Sequence, residues 1–171
     1  MVFGIGEGKL ELISNGNAFS PGQAITGQVK LILNQPTQAR ELRVLFYGEI
    51  KMNRSSSSFR RSSQTHIKRI FEVKQQLSGE RIYNNGETFD FSLVISQISS
   101  NSPVPEDAPQ LVKGLFDMFA PKPRWFVEAT LDMPNKFDIS KKIQIQVTKD
   151  GKEIGFDTRN FLSSNPIEPI Q

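Results

Sequence analysis

Apolar and polar residues alternate with a period of two through most of this chain. Between residues 21 and 51, Ile25, Gly27, Val29, Leu31 and Leu33 fall on one face of an extended segment, with Thr26, Gln28 and Lys30 on the other. After a break at Gln35-Pro36-Thr37, Leu42, Val44, Phe46, Gly48 and Ile50 repeat the pattern. Pro36 cannot donate to a strand ladder and Asn34-Gln35 suit a turn, so the break separates two strands joined as a hairpin or a Greek-key corner.

The same period marks the other elements. Leu10 and Leu12 face inward on a first strand over residues 8–13, closed by the turn cluster Ser14-Asn15-Gly16-Asn17. In residues 65–77, Ile67, Phe71, Val73 and Leu77 share one face, and Lys68, Glu72, Lys74 and Gln76 take the other. Asn84-Asn85-Gly86 signals a turn, after which Phe89, Phe91, Leu93 and Ile95 alternate with Asp90 and Ser92. Trp125, Val127, Ala129, Leu131 and Met133 alternate with Glu128, Thr130 and Asp132, and Ile143, Ile145 and Val147 with Gln144, Gln146 and Thr148. Asp150-Gly151 turns the chain into a short last strand through Ile154 and Phe156.

One stretch, residues 107–120, reads as helical, with a cap at Asp107, Pro109 in the first turn, apolar residues at 111, 112, 115, 116, 118 and 119, and a stop at Pro121. Strands with one apolar face and no intervening helices predict an all-β fold, an antiparallel two-sheet sandwich of seven or eight strands with one short inserted helix. Residues 1–160 make a single domain, and 161–171, which lack periodicity, a loose C-terminal tail.

Composition narrows the chemistry. A chain of 171 residues buries a real core without disulfides or metal, and the absence of cysteine removes disulfides, thiol nucleophiles and thiolate metal sites together. The opening Met-Val-Phe-Gly-Ile-Gly has no basic segment or signal-length apolar run, and no stretch approaches the roughly 18 apolar residues of a membrane span. The expected location is cytoplasmic, peripheral to membranes if lipid is a partner. With one histidine and scattered carboxylates, no catalytic, cofactor or metal constellation emerges, and the expectation is a protein that is not an enzyme. His66 reads as an ordinary surface residue, and the Glu106-Asp107 pair complements a helix dipole. The sequon Asn53-Arg54-Ser55 has no secretory context.

The sharper signal is charge. Residues 51–69 contain Lys51, Arg54, Arg60, Arg61, Lys68 and Arg69 and no acidic residue, while the whole chain is only +3, so everything outside this segment is net −3. One reading is a solvated hairpin tip. The other is an arm for anionic partners, a phosphorylated peptide or an anionic membrane surface, where each Lys or Arg near a charged surface contributes about 1 kcal/mol. Serines flanking Arg60-Arg61 would cancel that charge if phosphorylated. Nucleic acid is poorly supported, because Phe59 is the only aromatic among the basic residues. The helix at 107–120 divides the same way: it caps an open end of the sandwich, or it projects Phe116 and Phe119 as membrane anchors beside Lys113, Lys122 and Arg124.

Several segments together resemble a known family. Pro21-Gly22-Gln23-Ala24-Ile25-Thr26-Gly27-Gln28-Val29 is similar to the PG-x-x-(I/V)-x-G-x-(V/I) signature near the start of arrestin-type domains, especially those of arrestin-domain-containing trafficking adaptors. Residues 42–49, 86–93 and 125–132, with Lys141-Lys142 after them, fall in the family's order. The resemblance implies an immunoglobulin-like β-sandwich acting as a non-enzymatic adaptor or scaffold through protein–protein contacts in trafficking or signalling. The alternative is a peripheral membrane-binding module built from the basic loop 51–69 and the helix. The chain has room for one sandwich where arrestins have two, which implies a homodimer or a second arrestin-like chain. It has no Pro-Pro-x-Tyr motif, and Lys9 lacks the adjacent lysine of receptor-binding arrestins. Partner-binding candidates are therefore Arg54, Arg60, Arg61, Lys68, Arg69, Phe116 and Phe119.

Overall fold

The computed structural model describes residues 7–54, 64–95, 109–110, 122–149 and 152–153. Seven long strands dominate: β1 (Gly8–Ser14), β3 (Ala24–Leu33), β5 (Glu41–Arg54), β6 (Gln64–Ser78), β8 (Thr88–Val94), β9 (Arg124–Asp132) and β10 (Ile139–Lys149). Four pieces of two or three residues complete the described set: β2 (Ala18–Phe19), β4 (Thr37–Ala39), β7 (Arg81–Tyr83) and β11 (Lys152–Glu153). The all-β sandwich expected from the alternation is what the chain forms. The expected helix at 107–120 lies, apart from Pro109 and Gln110, outside the described residues, as do the tail 161–171 and the residues Ile154 and Phe156.

The strands sort into two layers. The smaller is an antiparallel sheet in the order β1-β3-β8; the larger runs β11-β10-β9-β5-β6, with β2 lying parallel to β10. β3 and β5 are therefore in different sheets, and the break at Gln35-Pro36-Thr37 is a corner rather than a hairpin. β4 leaves that corner to pair with β7 in a separate two-stranded ribbon. Asn84-Asn85-Gly86 does turn the chain, with Gly86 at φ 85° and Asn85 Oδ1 accepting a 3.0 Å bond from the Leu33 amide. The free edges of the layers approach each other where the Ser92 amide of β8 donates to Gln75 Oε1 of β6 at 2.9 Å.

Between the layers lies one apolar core. Leu10, Leu12, Ile25, Val29, Leu31, Phe91 and Leu93 from the small sheet meet Leu42, Val44, Phe46, Ile50, Trp125, Val127, Leu131 and Ile145 from the large one. Full burial of such side chains stabilises the fold by about 1.5–3 kcal/mol each. Gly27 is glycine because of space: a Cβ there would sit 2.1 Å from the Ile13 carbonyl oxygen and 2.7 Å from the Phe91 ring.

One inward assignment needs correction. The alternation placed Ile67 with Phe71, Val73 and Leu77 on the core side and Lys68 opposite, but Ile67 is 57% exposed and Ile70 is buried. The pairing of β5 with β6 slips between Tyr47 and Gly48, where Tyr47 faces Glu72 and Gly48 faces Ile70, leaving Phe71 as the extra residue of a β-bulge at φ 50°. One inserted residue exchanges the two faces, so Ile67 turns outward and Lys68 shares the inner face with Ile50.

Candidate functional site

β9 flanks β5 only from Glu41↔Asp132 to Glu49↔Arg124. Beyond Glu49, among the described residues, β5 and β6 pair only with each other, through five further rows from Ile50↔Lys68 to Arg54↔Gln64. At about 3.4 Å per residue this two-stranded arm extends roughly 17 Å past the start of β9. Lys51, His66 and Ile67 are exposed on it, Lys68 is half-buried, and Ile50 anchors its base in the core. The arm carries the chain into residues 55–63. Of the sequence-derived candidates, Arg54 is placed by its backbone at the arm's outer end, and Lys68 and Arg69 stand at its base. Arg60, Arg61, Phe116 and Phe119 lie outside the described residues.

Arg69 occupies the junction between arm and sheet. Its guanidinium carbon lies 3.8 Å from the centre of the Tyr47 ring, and it pairs with Glu72 at 3.2 Å and Glu128 at 3.9 Å. The Tyr47 hydroxyl donates to Glu128 Oε2 at 2.8 Å, so cation, ring and carboxylate form one connected set on the outward face of the large sheet. Burial, then the bond to Glu128, raises the Tyr47 phenol well above its ordinary pKa. At an exposed position the cation–π contact contributes about 0.5–1 kcal/mol, and each surface ion pair about 0.2–1 kcal/mol.

Behind this junction the packing is tight. Ile70 faces Gly48 across the strands, and a Cβ on Gly48 would come 2.9 Å from Ile70 Cγ1 and 3.0 Å from the Trp125 ring. Trp125 in turn packs edge-on to the bulged Phe71, with centroids 6.3 Å apart.

The outward face continues as an aromatic and charged layer. Tyr47 packs on Phe126 with centroids 5.8 Å apart, Lys142 lies 4.6 Å and Arg124 5.7 Å from the Phe126 ring, and Glu49 receives both cations, at 3.9 and 3.7 Å. Further along, Glu41 and Asp132 bind Arg43, while Lys74 reaches Glu41 at 2.9 Å and Arg40 Nε reaches Asp132 at 2.8 Å. Hydrogen bonding from Lys74 holds the Glu41 carboxyl below its usual range. At Asp132 burial acts upward, but bonds from Arg40 and Arg43 outweigh it and lower the pKa. The one-sided alternation missed Leu45, Tyr47 and Phe126, all buried on this outward face. The signal available was the unbroken apolar runs Val44-Leu45-Phe46-Tyr47 and Trp125-Phe126-Val127, which mark strands covered on both sides.

No group of three or more His, Asp or Glu among the described residues could hold a metal ion. A pocket bounded by Pro123, Arg124, Trp125 and Gln144 to Val147 has a volume of about 60 Å³, room for a few waters. No helix among the described residues is long and apolar enough to cross a membrane.

Comparisons with known proteins agree with this architecture. No curated protein matches the chain. Among solved structures, the sporulation control protein Spo0M from Bacillus subtilis superposes with a TM-score of 0.56 at 16% identity, over 84% of this chain and 50% of that one. The likeness is one of fold, and the chain spans half the length of that protein. The family described as arrestin (or S-antigen), N-terminal domain, matches residues 9–98, a span that runs from β1 through β8 and includes the whole β5–β6 arm. The chain belongs to the arrestin N-terminal domain family.

Proposed function

We propose that this domain is a non-enzymatic adaptor or scaffold that engages a protein partner through the β5–β6 arm. The observation that supports the reading is the position of the basic cluster. Lys51, Arg54, Lys68 and Arg69 lie on two strands that leave the sandwich together, and Arg60 and Arg61 fall in the segment those strands join. An arm with no acidic residue from position 51 to 69 favours an acidic or phosphorylated protein segment, because charge complementarity steers encounter and disfavours wrong partners. A second arrestin-like chain, or a second copy, fits the same role of protein partner. The setting is cytoplasmic trafficking or signalling.

The test compares the wild-type chain with a Lys51→Glu/Lys68→Glu variant and an Arg60→Ala/Arg61→Ala variant, in pull-downs from the source lysate and in liposome sedimentation. The adaptor reading expects a partner that the wild type retains and both variants lose, with melting temperatures unchanged. Sedimentation with anionic liposomes, without any arm-dependent protein partner, would replace it with the peripheral membrane module.

A further inference from the structure

Asparagine followed by glycine is a chemically unstable pair, because glycine has no side chain to keep its backbone nitrogen away from the asparagine Cγ. The chain contains two such pairs, Asn15-Gly16 after β1 and Asn85-Gly86 before β8. All four residues are exposed, so sequence and solvent access treat the pairs alike. Their hydrogen bonds do not.

At the second pair both reacting groups are held by β3. The Gly86 amide donates to the Leu31 carbonyl at 2.8 Å, and Asn85 Oδ1 accepts from the Leu33 amide at 3.0 Å. The nitrogen that would attack and the carbonyl it would attack are thus directed at two different residues of one strand. At the first pair the Gly16 amide makes no hydrogen bond among the described residues, although its surroundings are ordered. The Ser14 hydroxyl donates to the Gly16 carbonyl at 2.6 Å, and Asn15 Nδ2 donates to Thr26 Oγ1 at 3.0 Å. The only side-chain atom of Asn15 that is held is therefore the nitrogen that would leave.

We propose that Asn15 is a site of spontaneous deamidation in the folded chain, and that β3 shields Asn85 from the same reaction. The Gly16 nitrogen gives its proton to a solvent base and bonds to Asn15 Cγ; the Cγ–Nδ2 bond breaks, and Nδ2 takes a proton from water and leaves as ammonia. Water then opens the five-membered imide at either carbonyl, giving aspartate or isoaspartate. The net change is one amide and one water to one carboxylate and one ammonium, with no oxidant or reductant. Either product adds a negative charge to the turn, and isoaspartate also lengthens the main chain there by one carbon. The turn is tied at both ends: the Asn15 amide donates to the Thr26 carbonyl at 2.9 Å, and the Asn17 carbonyl accepts from the Gln146 amide of β10 at 2.8 Å, where β2 begins to run beside β10. The isoaspartate form therefore loosens β2 from β10. None of this depends on the partner-binding reading above.

The test incubates the full chain in warm, mildly alkaline buffer, folded in one series and unfolded in urea in the other. Peptide mass spectrometry follows amide-to-acid conversion at each asparagine, with synthetic aspartate and isoaspartate peptides as chromatographic standards. In the folded chain Asn15 should convert faster than Asn85 by roughly 5- to 150-fold, the range expected from two hydrogen bonds that must first be broken. In urea the two should convert at similar rates. Gly16→Ala, whose Cβ would have the Phe19 ring at 3.4 Å as its nearest neighbour, should keep the fold and slow conversion at Asn15. Amide hydrogen exchange at Gln146 should be faster in the aged parent than in the fresh one, and unchanged on ageing in Gly16→Ala. If Gly16→Ala fails to fold, Asn15→Gln carries the comparison, since its longer side chain closes the ring far more slowly. Equal rates at the two asparagines in the folded chain overturn the proposal, as does conversion of Asn15 in urea alone. Conversion of Asn15 with unchanged exchange at Gln146 overturns the loosening of β2 and leaves the modification site standing.

Discussion

The indole of Trp125 lies nearly parallel to the ring of Phe46, with centroids 5.3 Å apart and an interplanar angle of 10°. The two residues come from neighbouring central strands of the large sheet and fill the core behind the base of the arm. Trp125→Ala should therefore destabilise the domain by about 3–5 kcal/mol, the range of large-to-small aromatic changes. A urea midpoint that barely moves would contradict this packing.

Gly27 faces a harder constraint than Gly16. A Cβ at Gly27 meets the backbone carbonyl of Ile13 at 2.1 Å, and backbone cannot rotate aside, whereas at Gly16 the nearest atom is the Phe19 ring at 3.4 Å. Gly27→Ala should cost about 1–3 kcal/mol or more as an overpacking change, and Gly16→Ala should leave the denaturation curve close to wild type. Equal midpoints for the two variants would contradict the β1–β3 approach.

How far the sequence could be read is clearest along β6. Alternation correctly located the strand, its length and the inward Phe71 and Val73, because a period of two survives any context. It put Ile67 inside, since nothing in the letters Arg69-Ile70-Phe71-Glu72 announces that one residue will be extruded. Two adjacent apolar residues, Ile70 and Phe71, allow either parity, and the choice is made by β5, where Gly48 leaves room for Ile70. The short strands β4 and β7 were illegible for a similar reason: three residues carry too little periodicity, and each exists only through the other. The basic candidates were visible as composition, but the arm that carries them depends on where β9 begins, a tertiary fact. Tyr47 and Phe126 were hidden because one-sided alternation assigns outward residues to water, and here the outward face is covered by Arg69, Arg124 and Lys142.

The bulge yields its own prediction. Ile67→Thr should change stability by no more than about 0.5 kcal/mol as an exposed substitution, while Ile70→Ala should cost about 2–5 kcal/mol as a core truncation. Chemical denaturation of the two variants decides between the bulged and the uninterrupted register, which expect opposite orders.

Acid should weaken the outward face of the large sheet. The folded-state pKa values of Glu41 and Asp132 are depressed, so their contribution to stability is complete above the unfolded carboxylate values and fades as pH falls through the lower folded ones. Urea midpoints of the wild type should therefore fall between pH 6 and pH 3 by more than those of Arg43→Gln, roughly following the linkage relation. Parallel falls would show that the Arg43 pairs do not contribute.

Alkaline titration probes the opposite sign. The Tyr47 pKa is raised in the folded state, so its contribution is complete below the unfolded tyrosine value and fades as pH rises beyond it. In a Tyr83→Phe background, the remaining phenolate absorbance should appear only above the ordinary tyrosine range of about 10, and Glu128→Gln should move it lower. A normal titration in that background would contradict the buried hydroxyl bonded to Glu128.

The strand order of the large sheet has a consequence for how the chain acquires its structure. β5 ends at Arg54, yet the strand that flanks it on the side away from β6 begins at Arg124, after the entire span matched by the arrestin family has been made. During synthesis the apolar edge of Val44, Phe46 and Tyr47 must wait for β9, and closing so long a loop slows folding because its entropy is lost before the pairing is gained. Until β9 arrives, β5 is an open hydrophobic edge of the kind that recruits other chains. A nascent chain stalled before Arg124 therefore has its small sheet and its hairpin but no finished core, and holdase chaperones should recognise it at that length and release it once Asp132 has paired with Glu41.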